Sequence, residues 1–296
     1  MFFRYPGGKR KLTGSILKYM SYFYSRNKNK NYCYVEPFFG GGGVGLSLLA
    51  DRTKAQPRTI WINDYDQALA CLWTSVIMYP SRLCKMVNDF VPSTDQFYEI
   101  KNILTSGVCI SYLTEIDTIR FGFYKLAIHQ ISYSGLGTMS GGPLGGQKQQ
   151  SKYKINSRWN ASAICKKIMQ INENLRGIKL LNERCTSLDF EEVLRYDQDA
   201  FYYLDPPYFD KGSQLYQFPL DLEDHQRLMS NLKSCRNPWL LSYDNCSEIR
   251  DLYDWATITE VEANYSINTS RNKKELIIFS PNYQEYIKDK ISIPGI

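Results

Sequence analysis

Histidine is nearly missing from this chain of 296 residues: His129 and His225 are the only two. They are too few to build a histidine metal site, so no metal is expected and each is read as structural or superficial. Cysteine occurs eight times, yet without a Cys-x-x-Cys, and the nearest pair, Cys235 and Cys246, lies eleven positions apart. That scatter argues against a zinc ribbon or a disulfide framework and for reduced, packed thiols. No apolar run approaches the roughly 18 residues of a membrane-spanning helix. Met1–Lys11 lacks the apolar stretch of a signal peptide. Gly8-Lys9 is followed by Arg10 rather than Ser or Thr, so it is not a phosphate-binding P-loop. With 43% apolar residues, the chain can bury one large core and still carry an insertion.

Acid is missing from two long stretches. Met1–Val35 has none, against eight cations: Arg4, Lys9, Arg10, Lys11, Lys18, Arg26, Lys28 and Lys30. Thr118–Asn172 has none either, against Arg120, Lys125, Lys148, Lys152, Lys154, Arg158, Lys166 and Lys167. The whole chain is only +6, so these sixteen positive charges leave −10 on the remainder. Such segregation suits a polyanion, whose phosphates reward clustered cations by releasing counterions, although a solvated basic face would look the same.

What is present is concentrated at a few junctions. The apolar run Phe201-Tyr202-Tyr203-Leu204 reads as a buried parallel strand and stops at Asp205-Pro206-Pro207-Tyr208. Two prolines cannot continue a ladder, so a carboxylate, a fixed backbone carbonyl and an aromatic ring are held at a strand's carboxyl end. Ligands of open α/β sheets bind at that edge. Upstream, Tyr32–Phe39 reads as a strand running into Gly40-Gly41-Gly42-Gly43 and an apolar helical stretch, Val44–Ala50. Thr59–Ile62 reads as the next strand and ends in Asn63-Asp64, where an acid can accept from ribose hydroxyls. A strand ending in Asp-Pro is also an ordinary turn, and four glycines also make a plain loop. Their combination in this order carries the functional reading.

These residues resemble the Dam-type DNA adenine N6-methyltransferases, which use S-adenosylmethionine. Arg4-Tyr5-Pro6-Gly7-Gly8-Lys9 is similar to the family's amino-terminal motif, and Glu36-Pro37-Phe38-Phe39-Gly40-Gly41-Gly42 to its cofactor loop. Asn63-Asp64 is similar to its ribose-binding acid, Ser187-Leu188-Asp189-Phe190 to the segment near the cofactor adenine, and Asp205-Pro206-Pro207-Tyr208 to its catalytic motif. The resemblance spans nearly the whole chain in the alpha-class order, with cofactor motifs first and the catalytic motif last. It implies an α/β, Rossmann-like, mostly parallel seven-stranded sheet with helices on both faces, plus a smaller helical DNA-recognition insertion. Residues 1–70 and 181–296 would form the catalytic domain and 71–180 the insertion. The cofactor would touch Tyr5, Lys9, Glu36, Phe39, Gly40, Gly42, Asp64, Asp189, Phe190 and Asp205. The partner would be double-stranded DNA and the enzyme a monomer, in the cytoplasm of a prokaryotic or phage-infected cell beside the nucleoid.

The family's usual recognition segment is not evident between about Ile119 and Trp159. A helix over Ile119–Ser132 precedes Ser134–Gln150, which six glycines punctuate too closely for any regular element. An amphipathic helix is expected from about Trp159 to Leu175. We expect this segment to face DNA, through Lys125, Ser134, Lys148, Lys152, Lys154 and Arg158, although a mobile surface loop would read similarly. Arg10 and the late loop at Arg271, Asn272 and Lys273 are further candidates.

The chemistry follows from the acceptors. The N6 lone pair of adenine is delocalised into its ring, so the nitrogen is a poor nucleophile. Hydrogen bonds to Asp205 and the Pro206 carbonyl would favour a pyramidal nitrogen aimed at the methyl carbon. Tyr208 would stack on the flipped base, worth roughly 1–3 kcal/mol. No Pro-Cys dipeptide is present for a covalent route of the cytosine-C5 kind. A cytosine N4-methyltransferase, a protein-glutamine or RNA methyltransferase, and a catalytically dead DNA-binding relative remain as rivals.

Overall fold

Alternate residues of Ala200–Leu204 (β4) point into two different cores. Phe201 and Tyr203 join one apolar cluster, while Ala200, Tyr202 and Leu204 join the other, and all five are buried. This is why the run lacks polar alternation: a central parallel strand is covered on both faces. Burying each large side chain contributes about 1.5–3 kcal/mol.

The computed structural model describes residues 3–9, 12–27, 30–50, 56–107, 113–210, 212–263 and 273–283. Among them, β4 is flanked by Cys33–Glu36 (β1) and Trp239–Asp244 (β5), both parallel to it. Thr59–Ile62 (β2) and the two-residue Lys179–Leu180 (β3) extend the sheet beyond β1, again in parallel. Thr257–Ala263 (β6) and Lys273–Phe279 (β7) form an antiparallel pair, and β7 docks antiparallel on β5. The order is β3-β2-β1-β4-β5-β7-β6, a seven-stranded, mostly parallel sheet. Chain order reverses between β1 and β4, and the crevice at such a switch point is where open α/β sheets take ligands.

One sheet face is covered by Thr13–Arg26 (α1), Gly43–Ala50 (α2) and a helical block that enters between β2 and β3. The block comprises Gln67–Met78 (α3), Pro80–Asp89 (α4), Thr94–Thr105 (α5), Glu115–Ile131 (α6) and Ala161–Asn174 (α7). The other face is covered by Phe190–Leu194 (α8), Leu222–Ser234 (α10) and Ser247–Leu252 (α11), with the short Gly212–Leu215 (α9) following the Asp205-Pro206-Pro207-Tyr208 loop. Local sequence sets the helix starts. Thr114 and Asp117 form a capping box at α6, Asp221 and Asp224 another at α10, and Asn160 caps α7 through the Ala163 amide at 2.9 Å. That cap moves the start of α7 past Trp159, which instead packs on Phe90 and Phe123.

α3 and α6 meet at Gly122, where an added Cβ would stand 2.8 Å from both the Cys71 carbonyl oxygen and the Leu72 Cα. Backbone cannot yield there as a side-chain tip could. We expect Gly122→Ala to lower unfolding free energy by about 1–3 kcal/mol, read by urea denaturation, with the midpoint falling and the slope unchanged.

Candidate active site

The carboxyl ends of β1, β2 and β4 lie along one edge of the sheet, and their continuations wall a cavity of about 380 Å³. Pockets of this size suit a cofactor-sized ligand. After β1, Pro37 to Gly41 turns over the strand ends. Gly40 sits at φ +50°, a conformation disfavoured for other residues, and a Cβ there would press on the Tyr5 ring. The Gly40 amide donates to Asp64 Oδ2 at 2.7 Å, and its carbonyl accepts from the Trp73 indole at 2.8 Å. Asp64 Oδ1 accepts from the Asp66 amide at 3.0 Å. Burial, then the nearby Asp66, pushes the Asp64 carboxyl up to about 7.

Asn63 ties the walls together. Its amide donates to the Pro37 carbonyl at 3.0 Å and the Leu188 carbonyl at 3.1 Å. Its oxygen accepts from the Thr186 hydroxyl and the Leu188 amide. This places Asp189 and Phe190 on the cavity wall, where Asp189 caps α8 and pairs with Arg227 at 3.4 Å. Glu36, at the end of β1, also lines the cavity and accepts from the Tyr34 hydroxyl at 2.6 Å. Burial holds its carboxyl well above the usual carboxylate range.

β4 delivers Asp205 to the same cavity. Its Oδ1 is clamped by Lys9 Nζ at 2.8 Å and by the Ser242 hydroxyl at 3.1 Å. No hydrogen bond to Oδ2 is made among the described residues, although a fifth of the side chain remains exposed. Burial raises the Asp205 carboxyl, with Lys9 opposing the shift. Lys9 itself is buried, stands 4.1 Å from the Tyr208 ring centroid, and lies 3.6 Å from Glu275 on β7. The Tyr208 hydroxyl donates to Glu275. Burial, then Asp205 and Glu275, pushes that phenol well up. Pro207 lines the cavity, whereas Pro206 is buried behind it and Tyr208 is half-buried.

The structure thus gathers Tyr5, Lys9, Glu36, Phe39, Gly40, Asp64, Asp189, Phe190 and Asp205 around one cavity, with Gly42 at φ +65° beneath Phe39. Three groups escaped sequence reasoning: Ser242, Glu275, and Tyr216–Leu220, an aromatic and proline segment forming the far wall. Tyr216 reaches the Pro6 carbonyl at 3.4 Å, and Gln217 accepts from Thr138 at 2.8 Å. Ser242 signals itself as a polar residue inside the buried apolar run Leu240–Tyr243 of β5, whereas Glu275 follows two lysines at the start of β7 and carries no such signal.

The DNA-facing candidates divide. Lys125 is a correction: it is buried on α6 and paired with Asp66 at 2.5 Å, so it is closed to a phosphate backbone. Lys148, Lys152, Lys154 and Ser134 are exposed, and Ser134 adopts φ +56°. Arg158 is partly buried and donates to the Ser132 carbonyl at 3.4 Å. Burial and the neighbouring Arg4 lower its guanidinium from the ordinary value. Arg10, Arg271 and Asn272 lie outside the described residues, and Lys273 is described only as the first residue of β7. Around Ser134–Gln150 the chain forms two three-residue 3-10 turns, Tyr133–Gly135 and Gly137–Met139, and a bridge from Pro143 back to Ser132. His129 Nδ1 donates to the Gly135 carbonyl at 2.9 Å and supports that loop.

A glycine turn, an acid after β2 and an Asp-Pro-Pro-Tyr after β4 now share one cavity. The family model for D12 class N6 adenine-specific DNA methyltransferases matches residues 5–267. The chain belongs to this family. A comparison with curated proteins finds no match. This D12 class member is therefore an enzyme that methylates adenine N6 in DNA, in a family that generally uses S-adenosylmethionine. The cytosine N4 and non-catalytic alternatives find no support. Among the described residues, no helix is long and apolar enough to cross a membrane.

Proposed function

We propose that the cavity binds S-adenosylmethionine against the glycine turn and receives a flipped adenine at Asp205. The reading rests on one observation above others: Asp205 is anchored through Oδ1 by Lys9 and Ser242, while Oδ2 has no hydrogen-bond partner among the described residues. An acceptor held this way is preorganised for a donor that has yet to arrive. The cofactor supplies an activated methyl group. Asp64 would accept from its ribose, Asp189 and Phe190 would border its adenine, and Tyr5, Glu36 and Phe39 would shape the rest. A Cβ at Gly40 would crowd this cradle, in keeping with a close ligand. Asp205 Oδ2 and the Pro206 carbonyl would take the two amino hydrogens of the target base, drawing its lone pair out of the ring.

Residues 71–180, which hold most of the helical block together with the edge strand β3, serve in this reading as the recognition insertion, with 1–70 and 181–296 as the catalytic domain. The exposed Lys148, Lys152 and Lys154 meet phosphates beside Ser134 and Arg158. A single chain holds every residue named, so a monomer suffices. The setting is duplex DNA in the cytoplasm of a prokaryotic or phage-infected cell. Nucleoside mass spectrometry of duplex DNA incubated with enzyme and S-adenosylmethionine should yield N6-methyladenine. Methylated cytosine, or no methylated base, would refute the proposal.

Asp64 gives a second test. Its folded pKa of about 7 lies above the ordinary value of 3.8, so its contribution to stability is complete below that value and is lost as pH rises through 7. Cofactor binding has the opposite sign, because ribose hydroxyls donate best to the ionised carboxylate. Calorimetry should show affinity rising by up to about tenfold per pH unit below 7 and levelling above it. Asp64→Asn should bind weakly with a flat profile. A flat profile in the parent would remove Asp64 from the ribose.

A further inference from the structure

Glu275 has no place in the sequence motifs, yet it touches two members of the catalytic loop's surroundings at once. It is 6% exposed, sits on β7 opposite Asp244 of β5, accepts from the Tyr208 hydroxyl, and lies 3.6 Å from Lys9 Nζ. A strand residue of this kind is fixed by the ladder on both sides, since β7 also pairs with β6 at Val261. Lys9 therefore stands between two carboxylates, 2.8 Å from Asp205 and 3.6 Å from Glu275, with its ammonium against the Tyr208 ring.

The charge balance of the reaction makes this arrangement informative. Adenine N6 forms the new N–C bond with its lone pair as the S–C pair withdraws to sulfur, becomes cationic, and then loses one proton to Asp205 Oδ2 and on to water. Positive charge thus moves onto N6, and a site that assists must be net negative there. Asp205 with Lys9 alone would be neutral. A second carboxylate restores one negative charge to the cluster and divides the hold of Lys9 on Asp205.

We propose that Glu275 is a positioning residue of the transfer step, keeping Asp205 a strong acceptor by sharing Lys9 and fixing Tyr208 through its hydroxyl. This rests on the reading of Asp205 as the residue that grips the amino group. Asp205 is also faced by Glu36 from β1, Tyr203 from β4, Tyr5 from the amino-terminal segment, Tyr208 from its own loop and Tyr243 from β5. Glu275 is one carboxylate among these neighbours, and it opposes ionisation of Asp205.

Glu275→Gln separates charge from shape, because the amide oxygen can still accept from Tyr208. With saturating DNA and S-adenosylmethionine, the single-turnover rate should fall about ten- to a hundredfold, while calorimetric affinity for the cofactor stays within about twofold and Glu275→Asp recovers most of the rate. In the ligand-free protein, carboxyl-carbon NMR should find Asp205 titrating at lower pH in Glu275→Gln than in the parent. An unchanged rate and an unchanged Asp205 titration would overturn the inference. So would a rate loss that follows weakened cofactor binding or a lowered melting temperature. If Asp205→Ala keeps its activity, the underlying reading fails instead, and this inference with it.

Discussion

Asp205→Ala is expected to reduce methyl transfer by at least about a thousandfold, the upper range for removing one preorganised polar group from a reacting centre. The substitution deletes the Oδ2 acceptor and at the same time releases Lys9 and Ser242, which hold Oδ1. The amino group of the target base would keep only a backbone carbonyl, and its lone pair would stay in the ring. Cofactor affinity should fall less than about tenfold, because the cavity draws its other walls from Gly40, Asp64, Asp189 and Tyr5. Single-turnover kinetics beside calorimetry separates the two effects. Turnover within a few-fold of the parent would remove Asp205 from the chemistry, whereas parallel collapse of rate and cofactor affinity would make it a cofactor ligand only.

Lys9→Met should be nearly as damaging, and for a different reason. The methionine keeps much of the apolar stem but withdraws the cation between Asp205 and Glu275. Breaking a buried pair by removing one partner typically costs about 3–5 kcal/mol, because the remaining charge is stranded. The Asp205 carboxyl, already raised by burial, loses the group that opposes the shift. Its folded pKa then climbs further above the unfolded one, so the stability deficit should be largest at alkaline pH and shrink as pH falls toward the ordinary carboxylate value. Urea denaturation at several pH values reads this directly. A deficit that is constant across pH would mean that Lys9 contributes packing rather than charge.

Much of the site was legible because each of its main pieces is a local signal. Thr59–Ile62 matches β2 residue for residue, and the double proline after Leu204 marks the end of β4. β3 left no trace, since an exposed lysine and a half-buried leucine at a sheet edge need no apolar pattern. β6 offers no clean alternation, because its apolar residues Ile258 and Val261 lie three apart and pack into opposite cores at the edge of the sheet. Lys125 misled for a physical reason. It lies in an acid-free stretch of sequence, but packing of α6 on α3 brings Asp66 to it in space. Ser242 and Glu275 reach Asp205 and Lys9 only across neighbouring strands, a proximity set by β5 and β7 register rather than by any nearby residue.

The most direct test is a crystal structure of the enzyme with a duplex containing its target adenine and a non-reactive cofactor analogue. The account predicts the adenine outside the helix, with N6 within about 3.2 Å of both Asp205 Oδ2 and the Pro206 carbonyl oxygen. An adenine still stacked in the duplex, or an extruded base whose amino group meets neither oxygen, would contradict it.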